Sequence, residues 1–146
     1  MISIQLAKQL KEAGLVWRAS INDYFGIPDR GMDERVFVIS DLQANLDVFR
    51  GWPVVTFHGS AEWALDYILT TEVVWLPHEE QLRKAIVLFL EDAAPYSVTL
   101  AFDGQTYHCT LPINGQEQDF RAETGSDAYG LALLSLLKQN EQTDRG

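Results

Sequence analysis

The three histidines, His58, His78 and His108, and the single cysteine, Cys109, are the first candidates for acid–base or nucleophilic chemistry. A zinc site needs three or four His, Cys or carboxylate ligands to converge. Local spacing such as H-x-x-x-H or C-x-x-C usually announces one. Neither spacing is present, and His108 and Cys109 are adjacent in a predicted strand, so their side chains point to opposite faces. Cys109 with His58 or His108 as base is the one thiol nucleophile the composition allows, against burial as a small apolar residue, the commoner fate of such a cysteine. Asp23, Asp29, Asp33 and Asp41 flank a loop and a strand. They offer an acid–base pair if a cleft brings one to a histidine. No G-x-S-x-G elbow, G-x-x-x-x-G-K-[ST] phosphate loop or G-x-G-x-x-G fingerprint occurs, so no catalytic residue, cofactor or metal is expected.

The aromatic residues carry more information. Trp17, Trp52, Trp63 and Trp75 read as lying at element edges and turns. Tryptophan combines a large apolar area with one N–H donor, which favours it at protein interfaces; taken singly, each also suits the end of a core. Trp52, between Gly51 and Pro53 in an apparent turn, is the one expected to be exposed. With Asp29, Asp33 and Glu34 it forms the candidate partner-binding set. The acidic residues of 18–34 do not follow the alternating ligand pattern of a calcium loop.

These residues must be positioned by the following elements. Ser3 caps a helix over 4–13 that Gly14 stops. Residues 18–34 read as a loop with one short strand at Tyr24–Ile27, followed by a strand over 35–40. Residues 41–53 fit helix or strand equally. Gly51-Trp52-Pro53 breaks the chain before a strand over 54–58. Ser60 caps a helix over 61–69, and Pro77 opens an amphipathic helix over 78–91 whose buried stripe is Leu82, Ile86, Phe89 and Leu90. Strands over 96–102 and 106–111 flank Asp103-Gly104, the dipeptide typical of a tight hairpin, and Asn114-Gly115 leads to a third strand over 116–121. A helix over 127–140, capped from Thr124, closes the chain. The expected fold is one α+β domain over 1–146. Its antiparallel sheet includes a C-terminal three-stranded meander packed by three to four helices.

The 146 residues suffice for one core, and 47% of them are hydrophobic. The net charge is −10, from 21 acidic against 11 basic residues, which disfavours nucleic acid and anionic membranes and favours a basic protein partner. One cysteine forms no intramolecular disulfide and fits a reducing, cytoplasmic compartment. The start of the chain has no basic-then-apolar order, and the longest apolar stretch is far short of a membrane span.

Six segments carry a resemblance: Ala7-x-x-Leu10-x-x-Ala13-Gly14-Leu15-x-Trp17, Phe25-x-x-Pro28-Asp29-Arg30, Val36-Phe37-Val38-Ile39-Ser40-Asp41, Glu62-Trp63-Ala64-Leu65-Asp66, Trp75-Leu76-Pro77-x-Glu79-x-Gln81-Leu82-Arg83 and Ala128-Tyr129-Gly130-Leu131-Ala132-Leu133. Through them the chain resembles a group of short, uncharacterised bacterial proteins, some of which carry an automatic pilus-assembly label. The motifs are caps, turns and core residues, so the resemblance implies a compact bacterial domain and no mechanism. Three functions follow as expectations. The first is a non-enzymatic binding or adaptor protein, immunity- or antitoxin-like in one form. The second is a small hydrolase using His58 or His108 with a loop carboxylate. The third is a small-ligand binder with an apolar pocket between sheet and helices.

Overall fold

The computed structural model describes residues 1–28, 31–40, 44–57, 67–92 and 95–145, with side chains described except at 32–34, 44–46, 56–57, 67–68, 70 and 142–145. In chain order the elements are α1 (Ile4–Glu12), β1 (Tyr24–Ile27), β2 (Met32–Val38), β3 (Ala44–Phe49), β4 (Trp52–Phe57), β5 (Tyr67–Leu69), a 3-10 turn (Thr70–Glu72), β6 (Val74–Leu76), α2 (Glu79–Leu90), β7 (Thr99–Phe102), β8 (Tyr107–Ile113), β9 (Gln116–Ala122) and α3 (Gly125–Arg145). Among the described residues the class is α+β with three antiparallel sheets, and the C-terminal meander is one of them. The elements fall into two compact units, Met1–Leu15 with Pro77–Gly146, and Val16–Leu76.

In the first unit, α1 begins where the Ser3 hydroxyl accepts the Leu6 amide at 3.3 Å. It ends with Gly14 at φ 106°, where the Leu15 amide donates back to the Leu10 carbonyl and the Gly14 amide to the Lys11 carbonyl. That paired closure satisfies two carbonyls the helix end would leave bare, and it needs a left-handed residue that glycine adopts without a Cβ penalty. Leu6, Ala7 and Leu10 are buried on one face of α1. α1 packs on α3 at Gly130, where a Cβ would stand 2.7 Å from Leu6 Cδ2. α3 also packs against α2, β8 and β9. It buries Ala128, Tyr129, Ala132, Leu133, Leu134, Leu136 and Leu137 around most of its circumference, so it is the central helix the sequence implied. The Thr124 hydroxyl accepts the Asp127 amide at 3.1 Å and opens that helix.

α2 differs from expectation in two respects. Its N-cap is His78, whose amide donates to Gln81 Oε1 at 2.9 Å, so Pro77 precedes the cap instead of occupying the first turn. Leu82, Ile86 and Leu90 form the buried stripe, while Phe89 is exposed. The meander has the register that two turns impose. Asn114 (φ 54°) and Gly115 (φ 77°) both take positive φ in a two-residue turn, which matches the right-handed twist of the strands. The Asp103-Gly104 turn is longer than the dipeptide suggested. Phe102 pairs with Tyr107, and four residues lie between them. Asp103 Oδ1 holds this loop by accepting the Gln105 and Thr106 amides, each at 2.8 Å. The first strand starts at Thr99, so 96–98 lie outside the ladder.

In the second unit, β1 lies between β2 and β6, and β4 lies between β3 and β5. Phe25, Ile27, Ile39, Val55 and Val73 form its core, with Trp17 and Phe37 packed against it. The strand expected over 35–40 begins earlier, at Met32, which takes Asp33 and Glu34 out of the loop assigned to 18–34. Residues 44–49, undecided between helix and strand, are β3. The helix expected over 61–69 meets a correction at its end, since Tyr67–Leu69 are paired with β4 as β5; the rest of it, with Trp63, lies outside the described residues. Trp75 is mid-strand in β6 and not at an element edge.

Candidate functional site

The β3–β4 hairpin closes through Arg50 (φ 52°) and Gly51 (φ 83°), with Phe49 paired to Trp52 and Val48 to Pro53. The turn is therefore Arg50-Gly51, and Trp52 and Pro53, read from sequence as a chain break, are strand residues. Proline fits because Val48–Pro53 is the non-hydrogen-bonded pair next to a two-residue turn, so its missing N–H is not needed by β3. β5 pairs only from Val54 onward. Cross-strand partners share a face, so Phe49 and Trp52 stand on one side and Val48 and Pro53 on the other.

This hairpin end is apolar on both sides and open to water. Val48 is 68% exposed, Trp52 64% and Phe49 41%. The Arg50 guanidinium carbon lies 5.1 Å from the Phe49 ring centroid, within cation–π range. Turns with positive φ at both central residues favour Asn, Asp or Gly at the first, as Asn114 provides in the meander. Arginine in the left-handed region costs about 1–2 kcal/mol relative to the right-handed one. The tip thus combines exposed apolar area with a residue that local turn stability does not favour.

Of the candidate partner-binding set, only Trp52 is placed with its side chain on this surface. Asp33 and Glu34 belong to β2 in the other sheet, and Asp29 lies outside the described residues, as do Asp41 and His58. Trp52 is joined instead by Val48 and Phe49, which the unresolved helix-or-strand choice for 41–53 concealed. Asp23 has a structural task. It is 3% exposed, and its Oδ2 accepts Trp17 Nε1 at 2.9 Å, the Ser20 amide at 3.0 Å and the Ser20 hydroxyl at 3.3 Å.

The first unit holds a second constellation, on the face of the meander opposite the buried Cys109, Leu111 and Ile113. His108 Nε2 is 2.7 Å from Asp103 Oδ2, and Nδ1 is 3.2 Å from Asp119 Oδ2. Arg121 Nε donates to the same Asp119 oxygen at 3.0 Å, and the Thr110 hydroxyl donates to Asp119 Oδ1 at 3.3 Å. The hydrogen bond to Asp103, then that to Asp119, raises the His108 pKa above its ordinary 6.5. Asp103 is held below the usual carboxylate range by the Thr106 amide first and His108 next, and Asp119 by Arg121 and then His108.

The Thr106 hydroxyl lies 3.2 Å from His108 Nε2, giving the hydroxyl–imidazole–carboxylate order of a nucleophilic catalyst. The chemistry does not follow. Asp103 is the nearer group on Nε2, and the Thr106 hydroxyl donates to Asp103 Oδ2 at 3.3 Å. With the Asp103 carboxylate, an acceptor only, 2.7 Å from Nε2, that nitrogen donates its N–H there and offers the hydroxyl no lone pair. Cys109 faces away from this cluster and is fully buried. Burial, then the Asp119 charge, pushes its thiol up to about 11. The native protein is expected to react with an aromatic disulfide reagent at neutral pH at least about 100-fold more slowly than the urea-unfolded chain, because only the thiolate attacks. A rapid one-equivalent reaction of the native protein would refute that assignment.

Among the described residues no group of three or more His, Cys, Asp or Glu is placed to hold a metal ion, and no helix is long and apolar enough to cross a membrane. A pocket of about 380 Å³ opens beside the ends of α2 and α3, lined by Phe89, Leu90, Ile113 and Leu136, with Asn114 and Gln139 among its polar members. Comparison of the chain with family models, with curated proteins and with solved structures gives no match.

Proposed function

We propose that this chain is a non-enzymatic protein-binding domain that contacts its partner through the β3–β4 hairpin end, with Trp52, Phe49 and Val48 as anchors. The observation that carries this reading is the exposure of three large apolar side chains around one strained two-residue turn. Aromatic anchors of this kind supply most of the energy at interfaces, and surrounding polar groups set specificity. The net charge of −10 favours a basic partner, drawn by long-range attraction. Neutralisation of a basic toxin by an immunity- or antitoxin-like protein is one form of this reading. Cytoplasmic residence and kinship with the group of short bacterial proteins belong to the same proposal.

The test is capture from native lysate at low salt with the wild-type chain and a Trp52→Ser/Val48→Ser variant as paired baits. The wild type is expected to retain a basic protein stoichiometrically, and the variant to lose it by at least about 30-fold, as removal of an interface hot spot implies. A wild-type far-ultraviolet circular dichroism spectrum and a retained cooperative urea transition would show that the variant is folded. No stoichiometric partner, or equal retention by both baits, would count against the reading. Small-ligand binding is the second reading, favoured by the 380 Å³ pocket, whose size is in the range of small-molecule sites.

A further inference from the structure

We propose that His108, protonated at both ring nitrogens, is a pH-released fastener that ties the β7–β8 turn to β9 across the open face of the meander. The geometry favours both protons. Asp103 and Asp119 approach opposite nitrogens at 2.7 and 3.2 Å, and a neutral imidazole carries one N–H, so it donates to one carboxylate and presents a lone pair to the other. Lone pair against carboxylate oxygen is repulsive. Loss of one proton therefore opens one of the two links.

The surroundings set the direction. The turn contributes Asp103. β9 contributes Asp119 and Arg121, the latter directly across from His108 in the register, with Glu117 two positions before Asp119 and Glu123 just past the strand end. On the other side β7 offers Ala101 opposite His108 and Thr99 beyond it, neither of which titrates. Thr106 and Thr110 flank it along its own run of chain. α3 packs on the opposite face of the sheet, so among the described residues no helix charge faces the imidazole there. With His108 charged, the core of the cluster holds two cations and two anions; with it neutral, one cation faces two anions.

A group whose folded pKa lies above its unfolded value contributes stability that is complete below the unfolded value and lost as pH rises through the folded one. For His108 that contribution is full below pH 6.5 and disappears above its raised midpoint. The two carboxylates behave oppositely, contributing above their ordinary 3.8 and losing it as pH falls through their lowered folded values. The fastener is complete between those limits. Its release leaves the turn standing, because Asp103 keeps the Gln105 and Thr106 amides and Asp119 keeps Arg121 and Thr110. The change is local: the turn uncouples from β9 while both hairpins persist.

Ring-detected NMR titration of the intact chain tests this. His108, assigned by the loss of its signals in His108→Gln, is expected to titrate with a midpoint above 6.5, and Asp103→Asn and Asp119→Asn are each expected to shift that midpoint down. His108→Gln is expected to lower the urea midpoint of unfolding below pH 6.5 and to lose that effect above the His108 midpoint. A wild-type midpoint at or below 6.5, no shift in either asparagine variant, or a His108→Gln effect of equal size at both pH values would overturn the proposal. The asparagine variants keep the side-chain shape, so the question stays answerable if His108→Gln folds poorly.

Discussion

Replacing Phe25 with alanine is expected to lower the unfolding free energy by about 3–5 kcal/mol, the range for buried aromatic-to-alanine changes. Phe25 is fully buried at the centre of the second unit's core. Its ring centroid lies 5.9 Å from Trp17 and 5.4 Å from Phe37, so both neighbours lose a partner surface. It is also held by backbone on both sides, paired to Phe37 of β2 and to Trp75 of β6. A site pinned by two strands collapses poorly, and the residual cavity adds to the lost transfer energy. Set against the 5–15 kcal/mol roughly typical of whole domains, this one change removes a large share. Urea unfolding followed by tryptophan fluorescence measures it, since Trp17 touches the ring. A loss below about 1 kcal/mol, the level of a conservative core swap, would show that Phe25 is not at the centre of that core.

Asp23→Ala comes next, with an expected cost of about 1–3 kcal/mol from removing a buried acceptor on which three part-buried donors converge. The indole N–H of Trp17 and the amide and hydroxyl of Ser20 all converge on Oδ2 of Asp23, which is 3% exposed. The backbone at the same point extends the ladder, with the Asn22 amide donating to the Ile39 carbonyl and the Ile39 amide to the Asp23 carbonyl. The side chain therefore fixes residues 17–23 against the edge of the sheet. Asp23→Asn keeps one oxygen acceptor and is expected to cost clearly less than Asp23→Ala. Equal losses in the two variants, measured by the same urea titration, would mean that packing and not hydrogen bonding holds this segment.

Much of the first unit was legible in the sequence, because its signals are local. Ser3 and Gly14 bracket α1, Thr124 opens α3, and the period of Leu82, Ile86 and Leu90 marks the buried side of α2. The Asn114-Gly115 turn also determined the His108 cluster. A two-residue turn there pairs Ile113 with Gln116, and counting outward places Asp119 opposite Thr110 and Arg121 opposite His108. Asp103 was harder to anticipate, since its reach to His108 depends on a four-residue loop where the Asp-Gly dipeptide suggested a tighter one. Asp23, Asp29, Asp33 and Asp41 suggest themselves as carboxylate partners because they cluster in sequence. Strand pairing brought residues from the hairpin instead.

The second unit was less legible for a physical reason. Its sheets are assembled from pairings that sequence periodicity does not encode, such as β1 with β6 across 47 residues and more. β3 alternates weakly, and Arg50 in a left-handed turn position breaks the residue preference that would have identified the hairpin. Pro53 read as a breaker because its non-hydrogen-bonded position was invisible without the register. The Gly and Pro neighbours of Trp52 mark it for exposure, and it is 64% exposed, but in a strand and beside Val48 and Phe49.

The measurement that tests the central claim most directly is photo-crosslinking in living cells from a benzophenone amino acid placed at position 52, with one at Thr99 as control. Thr99 is also exposed, on the open face of the meander. Binding through the hairpin end predicts one discrete adduct with a basic protein from position 52 and none of that mass from position 99. No adduct from position 52, an adduct only with a second copy of this chain, or the same adduct from both positions would contradict it.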